Sequence, residues 1–274
     1  MFVQGLTRAA AAVALAGVAV LAAAPPADAG AGVDRIKKAG VLVVGSDVTY
    51  PPFEYMEGNT PVGFDVDIAR AIARELGVRL DYQNTAWDGI FAALKSGKFD
   101  MLLSGITITE ERKKTFDLAF SKSYFDSGQG VAVKRGGKTV GGAGDLAGKV
   151  VGVQINTTGQ YAAEKLAGIK EIRKYETLPE ALTDLGVGRI DAVVADYPVL
   201  LYNAAQAKDR KYEVVEGLVI GEPEQLGIPV RAAEADLIPV INKVIDDLKK
   251  SGEYAKLTKK WFGTTKVSTT ASAN

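Results

Sequence analysis

The sequence contains no histidine and no cysteine. The first absence removes Ser-His-Asp chemistry, a histidine general base and a histidine-ligated metal. The second removes thiol catalysis, zinc-thiolate and iron–sulfur sites, disulfides and a lipid-modified N-terminal cysteine. No metal or other cofactor is expected on these grounds. An excess of either charge is also missing: 33 lysines and arginines face 33 aspartates and glutamates. The basic footprint of a nucleic-acid binder is therefore not there. Beyond residue 24 no apolar run is long enough to span a bilayer. With 47% hydrophobic and 24% charged residues among 274, the composition is globular and allows one or two domains around a sizeable core.

What is there begins with an address. Residues 9–24 form an unbroken apolar run behind Arg8, followed by Pro25-Pro26 and then Ala27-Asp28-Ala29. A charged start, an apolar middle and a small-x-small site predict a signal peptide over 1–29, cut after Ala29. The mature chain then starts at Gly30 and is periplasmic or secreted. The run is shorter than the roughly 20 residues of a spanning helix, which sets cleavage above retention as an anchor.

The mature sequence alternates strand and helix signals. Apolar runs at 41–44, 99–103, 150–153 and 191–195 read as buried strands, with further strands at 78–82, 171–175 and 212–215. Helical spacing marks 65–76, ended by Gly77, and then 87–94, 158–166, 179–185, 198–207 and most of 236–261, with a break at Gly252. Thr109 followed by Glu110 and Glu111 is a helix start. Strands separated by helices of about ten residues mean βαβ units and parallel sheets. There are two such blocks, so the expected fold is α/β with two lobes and a cleft, ligands binding at the carboxyl ends of strands. Residues 265–274 are small and polar and are expected to be disordered.

Several motifs need weighing. Gly137-Lys138-Thr139 ends like a phosphate loop, but Ala132 stands where that loop needs a glycine, so a surface turn is expected. Asp65 and Asp67 are two apart on a helix and do not face each other; Asp65 is expected to cap it. The stretch from Ser104 through Gly105 and Thr107 to Arg112 is more informative. It gathers a strand end, hydroxyls, free backbone N–H groups and a guanidinium, which are the donors a carboxylate requires. A capped helix with a surface arginine explains it equally well. Gln154 to Thr158 occupies the equivalent place in the second block. Asp196 ends a later strand, where it either pairs with an ammonium or caps a helix. Asp47, Tyr50 and Phe53 follow the first strand; Asp47 serves either a ligand or the turn before Pro51.

Together these residues closely resemble the family 3 extracellular solute-binding proteins, the amino-acid receptors of ATP-driven importers. The resemblance covers residues 33–264 and is carried by Gly63-Phe64-Asp65-Val66-Asp67-Ile68-Ala69, by SGITITEERKK at 104–114, by Gly188-Arg189-Ile190-Asp191-Ala192 and by Lys260-Trp261-Phe262-Gly263. It implies the two-lobed periplasmic-binding-protein fold (type II). Lobe 1 would be 33–123 plus 227–264 and lobe 2 would be 129–221, joined by hinge strands crossing near 124–128 and 222–226. The resemblance further implies that Arg112 holds the ligand α-carboxylate, with Thr107 as the hydroxyl beside it, Gly105 as a backbone contact and Thr158 as a second-lobe N–H, and that Ser104 belongs to the same site. Asp196 would hold the α-ammonium. Tyr50 and Trp87 would sandwich the side chain, and Asp47 would read its head. Glutamine binders of this type can carry a lysine where this chain has Gln154.

The implied function is capture of a polar or cationic L-amino acid and its delivery, by a monomer, to the permease subunits of an ABC importer. Asp47 and two aromatic faces favour a planar cation. Arginine, lysine or histidine is expected to bind best, glutamine next, and glutamate and aspartate worst. The rival is an enzyme on the same fold, a dehydratase of a cyclohexadienyl acid. Such relatives carry an acid a few residues after the Asp196 position, where this chain has Val199. A receptor sensor domain is the third reading and lacks a second span to support it.

Overall fold

The computed structural model describes residues 31–265 apart from 138, 139, 208 and 210. The expected signal peptide, most of the polar tail and two residues of the Gly-Lys-Thr motif lie outside the described residues. The chain runs α1 (Ala31–Ala39), β1 (Val41–Ser46), β2 (Thr49–Tyr50), β3 (Glu54–Glu57), β4 (Thr60–Val62), α2 (Phe64–Leu76), β5 (Arg79–Asn84), α3 (Ile90–Lys95), β6 (Met101–Leu102), α4 (Glu110–Phe116), β7 (Leu118–Phe120) and β8 (Phe125–Lys134). It continues through β9 (Val150–Gln154), α5 (Thr158–Glu164), β10 (Glu171–Tyr175), α6 (Leu178–Val187), β11 (Ala192–Asp196), α7 (Tyr197–Gln206), β12 (Tyr212–Leu226), β13 (Pro229–Arg231), α8 (Leu237–Lys250) and α9 (Glu253–Phe262).

Two five-stranded sheets organise these elements, in the orders β5-β1-β6-β13-β7 and β10-β9-β11-β8-β12. In the first sheet β1 lies parallel to β5 and β6, and β13 returns antiparallel to β6 and β7. In the second, β9 lies parallel to β10 and β11, while β8 runs antiparallel between β11 and β12. The chain leaves the first sheet along β8 and comes back along β12. At that crossing Phe125, Asp126 and Ser127 face Leu226, Gln225 and Glu224. A small sheet, β2-β3-β4, sits between β1 and α2.

Local chemistry explains the elements that place the site. β1 buries Leu42, Val44 and Ser46 on one face, and on the other a side chain at Gly45 would sit 2.4 Å from the Phe99 ring, so only glycine lets α3 and its following turn close over the strand. The apolar face of α2 buries Phe64, Ile68, Ile72 and Leu76, and Gly77 in the left-handed region returns its N–H to Ala73 and Arg74. Each such buried side chain contributes about 1.5–3 kcal/mol. α3 is shorter than its apolar spacing predicts: Gly89 has φ 86°, which is left-handed, so Trp87 precedes the helix.

Asp65 corrects a sequence expectation, because it does not cap α2. The helix starts one residue earlier behind Gly63, whose φ of 138° and 2.1 Å approach to the Phe53 carbonyl exclude a side chain. The N–H groups of Phe64 and Asp65 donate to the carbonyls of Pro52 and Phe53 instead. The first turn needs no side-chain acceptor, and the Asp65 carboxyl points inward.

Candidate functional site

The carboxyl ends of β1 and β6 in one sheet face those of β9 and β11 in the other. All ten residues singled out from the sequence line a single cavity between them, about 330 Å³ with its mouth: Asp47, Tyr50, Trp87, Ser104, Gly105, Thr107, Arg112, Gln154, Thr158 and Asp196. Thr157, from the Gln154–Thr158 stretch, lines it as well, and so does Glu54, which the sequence did not suggest. A second cavity beside it shares Trp87, Arg112 and Thr158.

Arg112 forms one end. Thr109 caps α4 by accepting the Arg112 N–H at 3.1 Å, which fixes the first turn. The guanidinium donates to the Thr107 carbonyl at 2.7 Å and stacks over Phe91 at 5.0 Å and Trp87 at 5.4 Å. It is 6% exposed, and burial pulls its pKa down to about 10. Among the described residues no carboxylate lies within ion-pair distance of it. A buried cation held by a carbonyl and two rings, with no carboxylate in direct contact, is able to receive an anion. Trp87 therefore presents its ring to Arg112, and its indole N–H donates across the cleft to the Asn156 carbonyl at 3.3 Å. Thr107 and Thr158 reach toward each other from the two sheets, their hydroxyl oxygens 3.4 Å apart.

Asp196 lies across from the arginine and is buried. It stands at the N-terminus of α7 but makes no side-chain cap bond there. Its carboxyl accepts the Tyr50 hydroxyl at 2.6 Å and the Ser127 hydroxyl. Burial first, and the nearby Glu224 charge second, push its pKa up to about 6. An acid held in this way is stabilised as a carboxylate by an incoming cation.

The remaining end is acidic. Asp47 accepts Thr49 Oγ1 at 2.8 Å and, across the cleft, Gln154 Nε2 at 2.8 Å. Burial raises its pKa. Behind it, Ser104 accepts the Asp47 N–H at 3.0 Å and donates to Glu54 at 2.9 Å. Asp65 accepts the Gly105 N–H and the Tyr124 hydroxyl, each at 2.9 Å. Glu54 Oε2 and Asp65 Oδ1 are buried without a hydrogen-bond donor from any other residue. Burial, reinforced by Asp65, holds Glu54 well above the usual carboxylate range, and burial pushes Asp65 up to about 7. Among the described residues no lysine or arginine pairs with Asp47, Glu54 or Asp65.

Glu54 escaped notice because its burial depends on the β2–β3 hairpin and not on any periodicity. Its only signal was its place three residues after Pro51. Glu224, whose carboxylate reaches Thr107 and Thr158, lies in a stretch of β12 with no apolar pattern.

The family described as bacterial extracellular solute-binding proteins, family 3, matches residues 42–264. The L-cystine-binding protein TcyJ of Escherichia coli (strain K12) is 35% identical over 84% of this chain and 85% of its own length. Among solved structures, a mutant of ArgBP from T. maritima is 41% identical with a TM-score of 0.78, covering 85% of this chain and 99% of that one. The arginine-, lysine-, histidine-binding protein ArtJ from Geobacillus stearothermophilus is 38% identical with a TM-score of 0.74, covering 81% and 95% respectively.

Proposed function

The chain belongs to the bacterial extracellular solute-binding proteins, family 3, and from that premise we propose that it captures a cationic L-amino acid outside the cytoplasm and hands it to the permease of an ABC importer. Arginine, lysine or histidine is the favoured ligand and glutamine the next. Lobe 1 comprises 33–123 and 227–264, lobe 2 comprises 129–221, and a ligand between them holds the lobes shut.

The observation that carries this is the sorting of charge along the cavity. Among the described residues the buried Arg112 guanidinium at one end has no carboxylate within ion-pair distance, Asp196 faces it, and Asp47 and Glu54 at the far end pair with no lysine or arginine. An amino acid laid along that line puts its α-carboxylate on Arg112 and its α-ammonium on Asp196. Its side-chain head meets Asp47, Glu54 and the Tyr50 ring. A cationic head supplies the charge the far end lacks; an anionic head meets like charge in a buried setting. ArtJ and ArgBP support a basic ligand. TcyJ, whose ligand is cystine, makes cystine the competitor to include, although its second carboxylate would find no cation beside Asp47. The dehydratase reading lacks the acid it was tied to: position 199 holds Val199, which is buried and has no proton to give.

The test is a thermal-shift screen of the twenty amino acids and cystine against dialysed protein, followed by calorimetry on the hits. Binding raises the melting temperature by mass action. The reading requires arginine, lysine or histidine to lead and glutamate to trail. Glutamate or cystine binding tightest overturns it.

A further inference from the structure

Glu224 belongs to the crossing strand β12, outside the residues that line the cavity. The β8–β12 ladder slips between Ile220 and Glu224 and resumes with Glu224 opposite Ser127. After that slip a single oxygen, Glu224 Oε2, accepts Thr107 Oγ1 at 2.8 Å, Thr158 Oγ1 at 3.0 Å and Gln129 Nε2 at 3.0 Å. Thr107 comes from the first sheet's side of the cleft and Thr158 from the second. A threonine hydroxyl has one proton to donate. Both protons end on Glu224, so neither hydroxyl has one left for another acceptor. Of the charges acting on the Arg112 guanidinium, that of Glu224 is the strongest.

We propose that Glu224 is an internal stand-in for the ligand α-carboxylate: it holds the hydroxyls of that subsite, and an incoming carboxylate must displace it to take them. The inference rests on the reading of Arg112, Thr107 and Thr158 as the carboxylate subsite. Two consequences follow from like charges competing for the same donors. Glu224 lowers the affinity for any ligand with a free carboxylate. A ligand that lacks the charge leaves Glu224 in place as the anion facing Arg112, and so loses nothing to the competition.

The experiment measures the Kd of L-arginine and of L-arginine amide by calorimetry in wild type, Glu224→Ala and Glu224→Gln, with circular dichroism to confirm folding. Glu224→Ala should bind arginine at least fivefold more tightly and the amide no more tightly than wild type. Glu224→Gln keeps an acceptor without the charge and should gain at least twofold for arginine alone; it carries the test if the alanine variant does not fold. Unchanged or weaker arginine binding in the folded variants, or an equal gain for both ligands, overturns the proposal. Arg112→Ala is measured alongside. If wild type binds arginine and that variant binds it equally well, or if wild type binds no amino acid, the carboxylate subsite itself is misassigned and the proposal falls with it. If Arg112→Ala abolishes binding while Glu224→Ala gains nothing, only the stand-in role fails.

Discussion

At the residue scale Arg112 dominates: its guanidinium packs over the Trp87 and Phe91 rings and donates to the Thr107 carbonyl. Arg112→Ala should cost about 2–5 kcal/mol of binding by removing the counter-charge of a buried carboxylate, with little change in folding. Calorimetry within a factor of three of wild type would contradict that. Asp196 provides a pH signature. Its pKa near 6 in the free protein is raised, mainly by burial, so the ionised form, which we propose holds the ligand ammonium, is lost as pH falls through 6. Ligand affinity should weaken by up to about tenfold per pH unit below that point. Asp196→Asn should bind poorly and lose this dependence; an unchanged pH profile in that variant would place the titration elsewhere. The buried pair behind the pocket acts on stability with the opposite sense. Asp65 is pushed up to about 7 by burial, and Glu54 well above its usual range. The folded protein therefore binds more protons than the unfolded chain between the unfolded carboxyl pKa near 4 and that of the folded state. This contribution is full below about pH 4 and is lost as pH rises through 7. Melting temperature followed from pH 5 to 8 should fall less steeply in Asp65→Asn than in wild type.

At the scale of elements, short segments set the positions of these groups. α4 has only seven residues, and its register rests on the Thr109 cap. Thr109→Ala should cost roughly 0.5–2 kcal/mol of stability. Because the capped N–H is that of Arg112 itself, it should also weaken binding, though less than Arg112→Ala; an intact affinity would show that the two rings alone hold the arginine. The start of α2 shows a different arrangement. With Gly63 tight against Phe53 and the first N–H groups bonded to the preceding turn, Asp65 is released from capping and turned toward Gly105. In β12 the slipped ladder, with Gly221 at φ 78°, turns Glu224 toward the cleft.

For the whole molecule, the cleft is bridged directly. Tyr50 reaches Asp196, Gln154 reaches Asp47 and Trp87 reaches the Asn156 carbonyl, while the Asn156 amide donates to Asp88 at 2.9 Å. The last of these lies outside the cavity lining and reports on closure alone. Asp88→Ala should raise Kd about two- to fivefold through faster dissociation, with association unchanged, as bonds made only after encounter do. Stopped-flow kinetics decide it: a slower association rate would mean that Asp88 acts before closure.

Much of this was legible in the sequence because local rules govern it. Buried parallel strands announce themselves as apolar runs, so 150–153 and 171–175 fall where β9 and β10 are, and Thr109 signals its helix by chemistry that needs no distant partner. Most of the ten cavity residues were accessible for a related reason: in this α/β arrangement they follow strand ends, and strand ends can be counted along the chain; Trp87 entered only through the family resemblance. The hairpin β2–β4, the full length of β8 and β12, and β13 were not visible, since they are defined by pairing with residues far away in sequence. The acid pair Glu54–Asp65 and the three-donor contact of Glu224 belong to the same class. A carboxyl's burial and its partners are set by which backbone closes over it, and no periodicity encodes that. The sequence by itself determined which groups stand at the strand ends and the signs of their charges. Only the tertiary structure decided which carboxyls would be dry, which would share a proton and which would face the arginine, because desolvation and hydrogen-bond geometry exist only once both sheets have come together.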